Sequence, residues 1–354
     1  MTILDWLIFI LSALIFAASV LTVLHHVFFG LEKTNLNDRY IWGLNIQGFF
    51  VLSSLGCGIL AVISAFVIFG IDYPAAIFEL AGAVAFSCFL SAMMLMGADL
   101  GRPFRVFKII TGKNPASPLT LDFICVLLLT LLSFIFMFGI FMGVREILHL
   151  WAYATLFFVV LCLLAHVMLF ILNKSSDPRI KSFEGLATVS CSLWAGVAAV
   201  TLLTLFTGYR DLLLGALLAM TIIVFATQVA GLLSALLAGQ KPHTFIVTGI
   251  SFFVFAFLAV RGTLIESSPW PVDAAICVLV IVALFIEKFS MVISFQKVPV
   301  LPHPYSMYDK VKPYRPSFSE VGNLIAGLSL VIVATYAIII VREYILPFIV
   351  GLFR

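Results

Sequence analysis

Charge is what this sequence has least of. Only 10% of its 354 residues are Asp, Glu, Lys or Arg, where a soluble domain carries about 25%. A chain so poor in charge is neither an ordinary cytosolic enzyme nor a disordered segment. Polar stretches long enough for a soluble domain are missing as well. Six cysteines are present (Cys57, Cys88, Cys125, Cys162, Cys191 and Cys277), and every one lies inside an apolar run. No pair has C-x-x-C spacing, so the sequence reads neither as a disulfide scaffold nor as a host for a zinc ion or an iron–sulfur cluster. The cysteines read instead as small buried hydrophobes. A net charge of only +3 gives no reason to expect a nucleic-acid partner.

What is there is hydrophobic. Apolar residues make up 63% of the chain, and the mean hydropathy is +1.20. A spanning helix needs about 20 mostly apolar residues. Ten runs qualify: 3–24, 42–70, 74–98, 119–143, 150–173, 183–207, 212–238, 244–262, 271–296 and 318–348. None alternates polar and apolar residues as the strands of a membrane barrel do. The expected fold is an all-α polytopic membrane protein, a single integral membrane domain over residues 1–354. The first run has no basic residue before it and no small-residue cleavage site, so it reads as a span and not as a cleaved signal.

Ten spans place both termini on one side, called side A. Of the 20 Lys and Arg, side A holds Arg145, Arg210, Arg261, Arg342 and Arg354, and Lys288 lies inside a span. The others lie in side-B connectors. By the positive-inside rule side B is cytoplasmic and both termini are outside. Trp6, Trp151 and Trp270 mark the side-A interface and Trp42 marks side B. The longest connectors, 99–118 and 297–317, are both on side B. The second is rich in Pro and aromatics, which makes it extended and stiff. It reads as a connector across the bundle end or as a docking surface for another subunit, and the basic face would steer an acidic partner there.

Ionisable groups inside spans are costly and therefore point to function. They are Glu79, His166, Glu287 and Lys288, with the amide of Gln228. Asp122 and Asp273 lie close to span ends, where hydration is expected. Glu287 and Lys288 are adjacent, so they diverge by about 100° around the helix and need not pair. A haem between helices needs two axial histidines on facing spans. Of His25, His26, His149, His166, His243 and His303, only His166 is deep in a span, so no haem is expected.

The densest polar grouping is at side B. The first span ends in His25 and His26, the second opens with Tyr40, Trp42, Asn45 and Gln47, and the third ends at Asp99, followed by Arg102 and Arg105. A quinone needs an apolar cleft with a few donors at its two carbonyls. Quinol oxidation also needs bases for two protons, and Asp and His suit that task. The competing reading is a helix-end salt bridge between Asp99 and Arg102.

The stretch Met93–Thr120 resembles the signature of the NrfD-like family, the membrane subunits of polysulfide-reductase-type (PsrC-like) complexes. It carries Asp99-Leu100-Gly101-Arg102-Pro103-Phe104-Arg105, then Phe107, then Ser117-Pro118. The opening Trp42-Gly43-Leu44-Asn45 is similar too, as is a final helix closing on Arg342. The resemblance implies two four-helix bundles plus flanking helices. An internal repeat would cover about 42–173 and 183–296, with Gly43-Leu44 and Gly185-Leu186 as equivalent starts. It implies a subunit of a quinone oxidoreductase in a prokaryotic cytoplasmic membrane, with menaquinone or ubiquinone as substrate and no haem, iron–sulfur cluster or other metal centre of its own. The partners it implies are membrane lipid, a ferredoxin-like iron–sulfur subunit on the basic side, and beyond it a molybdenum enzyme or multihaem cytochrome. In this reading Asp99, His25 and His26 handle protons, and Asp99, Arg102, Asn45, Gln47 and Tyr40 hold the quinone. Glu79, His166, Gln228, Glu287 and Lys288 form a proton path. The alternatives are a proton or solute transporter, which would favour Gly/Pro-broken spans, and a purely structural anchor.

Overall fold

The computed structural model describes residues 2–37, 40–102, 105–112, 117–141, 145–171, 178–237, 244–264, 269–296 and 314–345. Helix is the one element that fits these runs, because in lipid every backbone N–H and C=O must be paired within the segment. The helices are α1 (Ile3–Phe29), α2 (Leu44–Ile68), α3 (Ala75–Asp99), α4 (Arg105–Ile110), α5 (Pro118–Phe141), α6 (Arg145–Ile171), α7 (Pro178–Leu203), α8 (Arg210–Leu237), α9 (Phe245–Leu264), α10 (Trp270–Gln296) and α11 (Phe318–Ile340). A π-helical turn, Val341–Ile345, closes α11. Nine of the described helices are long and apolar enough to cross a membrane, and α9 is a shorter apolar helix. The chain is an all-α polytopic membrane protein.

All ten expected runs are helices, with two differences. Helix α1 continues past residue 24 through His25 and His26 to Phe29. It does so because His26 is buried and hydrogen-bonded at both ring nitrogens, so a polar residue costs the helix little there. The connector 99–118 also contains a helical turn, α4. The Pro-rich segment 297–313, with His303, lies outside the described residues, as do His243, Pro103 and Phe104.

Helices α2, α3, α5 and α6 pack in a ring, and α7, α8, α9 and α10 pack in a second ring. Helix α2 is the most enclosed of the spans and belongs to both groups through its crossing with α7. At that crossing the backbones touch. A Cβ on Gly58 would lie 2.2 Å from the Ser192 carbonyl oxygen, and one on Gly196 would lie 2.1 Å from the Gly58 carbonyl carbon. Two facing glycines let helices approach this closely, and dispersion then replaces the hydrophobic drive that lipid removes. Helices α1 and α11 pair with each other beside α3. Most of α1 is exposed on the outside of the bundle.

Candidate functional site

The motif residues fall where helix chemistry requires them. Asp99 is the last residue of α3, Leu100 is its C-cap, and Gly101 follows with φ +62°. This left-handed position after a helix favours glycine. Gly101 turns the chain so that Arg102 points outward and Asp99 stays at the bundle end. Arg102 is exposed and, among the described residues, pairs with no carboxylate, so the Asp99–Arg102 bridge does not form.

Asp99 instead faces α1, α2 and α11. Its carboxyl lies beside the Asn45 amide and within electrostatic reach of Glu320. Its Oδ1 is buried without a hydrogen-bond partner among the described residues. Asn323 joins three helices. Its Nδ2 donates to Asn45 Oδ1 at 3.1 Å and sits 2.9 Å from His26 Nδ1. His26 Nε2 is 2.6 Å from Ser319 Oγ. The ring is completely enclosed.

Glu320 organises the start of α11. Ser317 is the N-cap, and its hydroxyl accepts from the Glu320 N–H while Glu320 accepts from the Ser317 N–H, a reciprocal capping box. The same carboxylate accepts from Tyr314 OH at 2.5 Å (Oε1) and from the Asn35 N–H at 3.3 Å (Oε2). Tyr314 OH accepts from the Leu44 N–H at 2.8 Å. Burial, and then the adjacent Glu320, push the Tyr314 phenol well above its ordinary value, so it remains a donor. The Tyr40 ring is buried 6.1 Å from that of Tyr314. Among the described residues, Gln47 is buried with neither amide atom partnered, and His25 stacks on Phe29 with Nδ1 unpartnered. Trp42 is pinned by Gln296, which accepts from its N–H at 2.8 Å and donates to its C=O at 2.9 Å.

The structure therefore gathers Asp99, His26 and Asn45, and adds Glu320, Asn323, Ser319 and Tyr314. The Ser317-x-x-Glu320 capping signature was visible in the sequence and marks where α11 starts. Nothing in the sequence ties Asn323 to His26, nearly 300 residues away.

The buried groups elsewhere form separate clusters. On α3, Glu79 pairs with Arg342 at 2.7 Å towards side A. Asp122 and Asp273, expected at hydrated span ends, are fully buried inside the bundles. Asp122 meets His166 at 3.0 Å, and Asp273 pairs with Arg210 and lies 3.6 Å from Arg261. Each carboxylate is matched within the bundle by an imidazole or a cation on a neighbouring helix. In the second bundle, Lys288 Nζ reaches its own neighbour Glu287 at 3.1 Å and the Thr188 carbonyl at 3.4 Å. A long flexible side chain closes the angular gap that separates adjacent residues. Thr188 Oγ1 donates to Glu287 at 3.3 Å. Gln228 shares a small cavity with Glu287, Glu184, Thr244 and Ser290. Gln228, Glu287 and Lys288 thus come together, while Glu79 and His166 belong to the other bundle.

No protein-family model matches the chain. Over 99 residues it is 31% identical to a protein of Halobacterium salinarum described as a putative membrane subunit of dimethyl sulfoxide reductase. The matched stretch covers 28% of this chain and 23% of the relative, so the chain spans about a quarter of the length of the curated relative it matches.

Proposed function

We propose that this chain is a membrane subunit of a respiratory oxidoreductase complex of the NrfD-like kind, and that it exchanges electrons between a membrane quinone and an iron–sulfur subunit. One observation carries the reading. At the side-B end, Asn323 Oδ1, His25 Nδ1 and both amide atoms of Gln47 are buried without hydrogen-bond partners among the described residues, and Asp99 has only the neighbouring Asn45 amide beside its carboxyl. An unpaired buried polar group costs about 1–3 kcal/mol. A ligand that offers acceptors as a quinone and donors as a quinol satisfies such a mixed set. Its tail remains among the apolar faces of the surrounding helices. The name of the similar halobacterial protein and the Asp99–Arg105 motif support the same reading.

Oxidation of a quinol releases two electrons and two protons. Asp99 is the carboxyl suited to take a proton, because both oxygens of Glu320 are already engaged by donors. His25 keeps an open ring nitrogen for the second. His26 has both nitrogens engaged and so acts by positioning Asn323. The electrons leave towards an iron–sulfur partner on the basic face, and a molybdenum enzyme or multihaem cytochrome lies beyond it. The chain sits in a prokaryotic cytoplasmic membrane with the basic connectors in the cytoplasm. Menaquinone or ubiquinone is the substrate, and no haem or iron–sulfur cluster belongs to this chain.

The test is Asp99→Asn in the assembled complex. Quinol turnover is expected to fall at least ~10-fold, equivalent to about 1.4 kcal/mol in the barrier. Unchanged turnover in an intact complex would reduce Asp99 to a structural role.

A further inference from the structure

The first bundle holds a second buried cluster that quinone chemistry does not use. Cys162 and His166 are one turn apart on α6 and share a face. Asp122 lies opposite them, near the start of α5. His166 Nε2 is 3.0 Å from Asp122 Oδ1, and Cys162 Sγ is 3.6 Å from the same oxygen. The three donor atoms all lie within 4.8 Å of one another, and all three residues are buried. Ser53 and Cys57, one turn apart on α2, close the cluster from a third helix. Ser53 Oγ is 3.3 Å from His166 Nε2, and Cys57 stands against Cys162. The rings of Phe49 and Phe50 stand in T-shaped contact with the imidazole, with centroids 6.2 and 5.1 Å away. Asp122 Oδ2 is buried with no partner among the described residues.

We propose that Asp122, Cys162 and His166 bind a zinc ion that ties α5 to α6 beneath α2. Three observations converge on this assignment. The first is spacing. Tetrahedral zinc with bonds of about 2.0 Å to N and O and 2.3 Å to S separates N from O by about 3.3 Å and S from O by about 3.5 Å. The measured separations, 3.0 and 3.6 Å, already lie close to those edges. The second is charge. One thiolate, one carboxylate and a neutral imidazole around a divalent cation sum to zero, which suits a membrane interior where net charge is costly. The third is the state of the Asp122 carboxylate: its Oδ2 is buried with no donor among the described residues, so the group keeps free acceptor capacity for a cation beside Oδ1. The sequence carries half of the pattern, Cys162-x-x-x-His166 on one helix face, while the third ligand, Asp122, comes from α5 and no linear spacing announces it. A zinc ion here has no redox part in electron transfer; it fixes the helices that flank the quinone-facing end.

The experiment is elemental analysis of the full chain in its complex, purified in detergent without a polyhistidine tag. About one zinc per chain is expected, falling to background in Cys162→Ser and His166→Ala and retained in the control Cys88→Ser. Protein grown on cobalt should show tetrahedral cobalt bands and a thiolate-to-cobalt charge-transfer band, the latter lost in Cys162→Ser. Wild-type protein with less than about a tenth of an equivalent of zinc, both as purified and after soaking in zinc, would overturn the site. So would full stoichiometry in both ligand variants. If the variants fail to fold, wild-type zinc content and the cobalt spectrum still decide. Neither depends on quinol turnover, so the zinc site and the quinone reading fail separately.

Discussion

Gly43 shows how little spare room the side-B cluster has. A Cβ there would lie 2.2 Å from Glu320 Oε1 and 2.7 Å from Tyr314 OH. The hydrogen bond between those two groups depends on a missing side chain in the turn before α2, and it also sets a pH dependence. A phenol whose folded pKa is raised binds its proton more tightly in the folded chain. Its contribution is complete below the ordinary phenol value of 10.0 and is lost as pH climbs through the raised folded value. Tyr314→Phe is expected to lower the melting temperature at about pH 8, and to lose less than wild type between about pH 8 and pH 11. Thermal melts of both proteins across that range check it; equal losses would mean that the Tyr314–Glu320 bond adds nothing. Residue by residue, Asp99, His26 and Asn45 were legible because a carboxylate, imidazoles and amides at one membrane face are conspicuous in so apolar a chain. Glu320 was not singled out, although Ser317-x-x-Glu320 has the spacing of a helix cap. Asn323 and Ser319 look like ordinary helix residues until folding sets them against His26.

At the scale of the helix, the sequence revealed existence and concealed neighbours. Lipid allows a hydrophobic run only one local structure, so ten runs became ten helices. The same uniformity hides which face packs where, because a helix apolar all round carries little directional signal. The α2–α7 crossing illustrates this: Gly58 and Gly196 sit in unremarkable small-residue stretches, yet their backbones touch. Gly58→Leu is expected to force α2 and α7 apart and destabilise the protein by ~3 kcal/mol or more, the upper range for overpacking. The readout is the midpoint of thermal loss of monodisperse protein on size-exclusion chromatography. A midpoint equal to wild type would show that the crossing tolerates a side chain.

Across the whole molecule, the charges read as a proton path divide between the two helix rings. Glu79 belongs to α3 in the first and is locked to Arg342. Glu287 and Lys288 belong to α10 in the second, beside the cavity that Gln228 shares. A single line of polar residues linking them, as the sequence suggested, would have to pass between rings, so the two clusters should act independently. In reconstituted vesicles, Glu287→Gln is expected to lower the proton-to-electron ratio more than quinol turnover. Glu79→Gln should leave that ratio unchanged and reduce thermal stability. The double variant should show the sum of both effects. A wild-type ratio in Glu287→Gln would make that residue a packing contact.

The pairing of α1 with α11 also bears on how the protein is made. His26 leaves the ribosome nearly 300 residues ahead of its partners Ser319 and Asn323. Until α11 inserts, the side-B end has no Glu320 beside Asp99 and no Asn323 to hold Asn45. A half-synthesised chain therefore sits in the bilayer with this polar cluster unbuilt. Insertion of the last described helix brings in Ser319, Glu320 and Asn323, so the polar cluster at this end forms only once nearly the whole chain has been made.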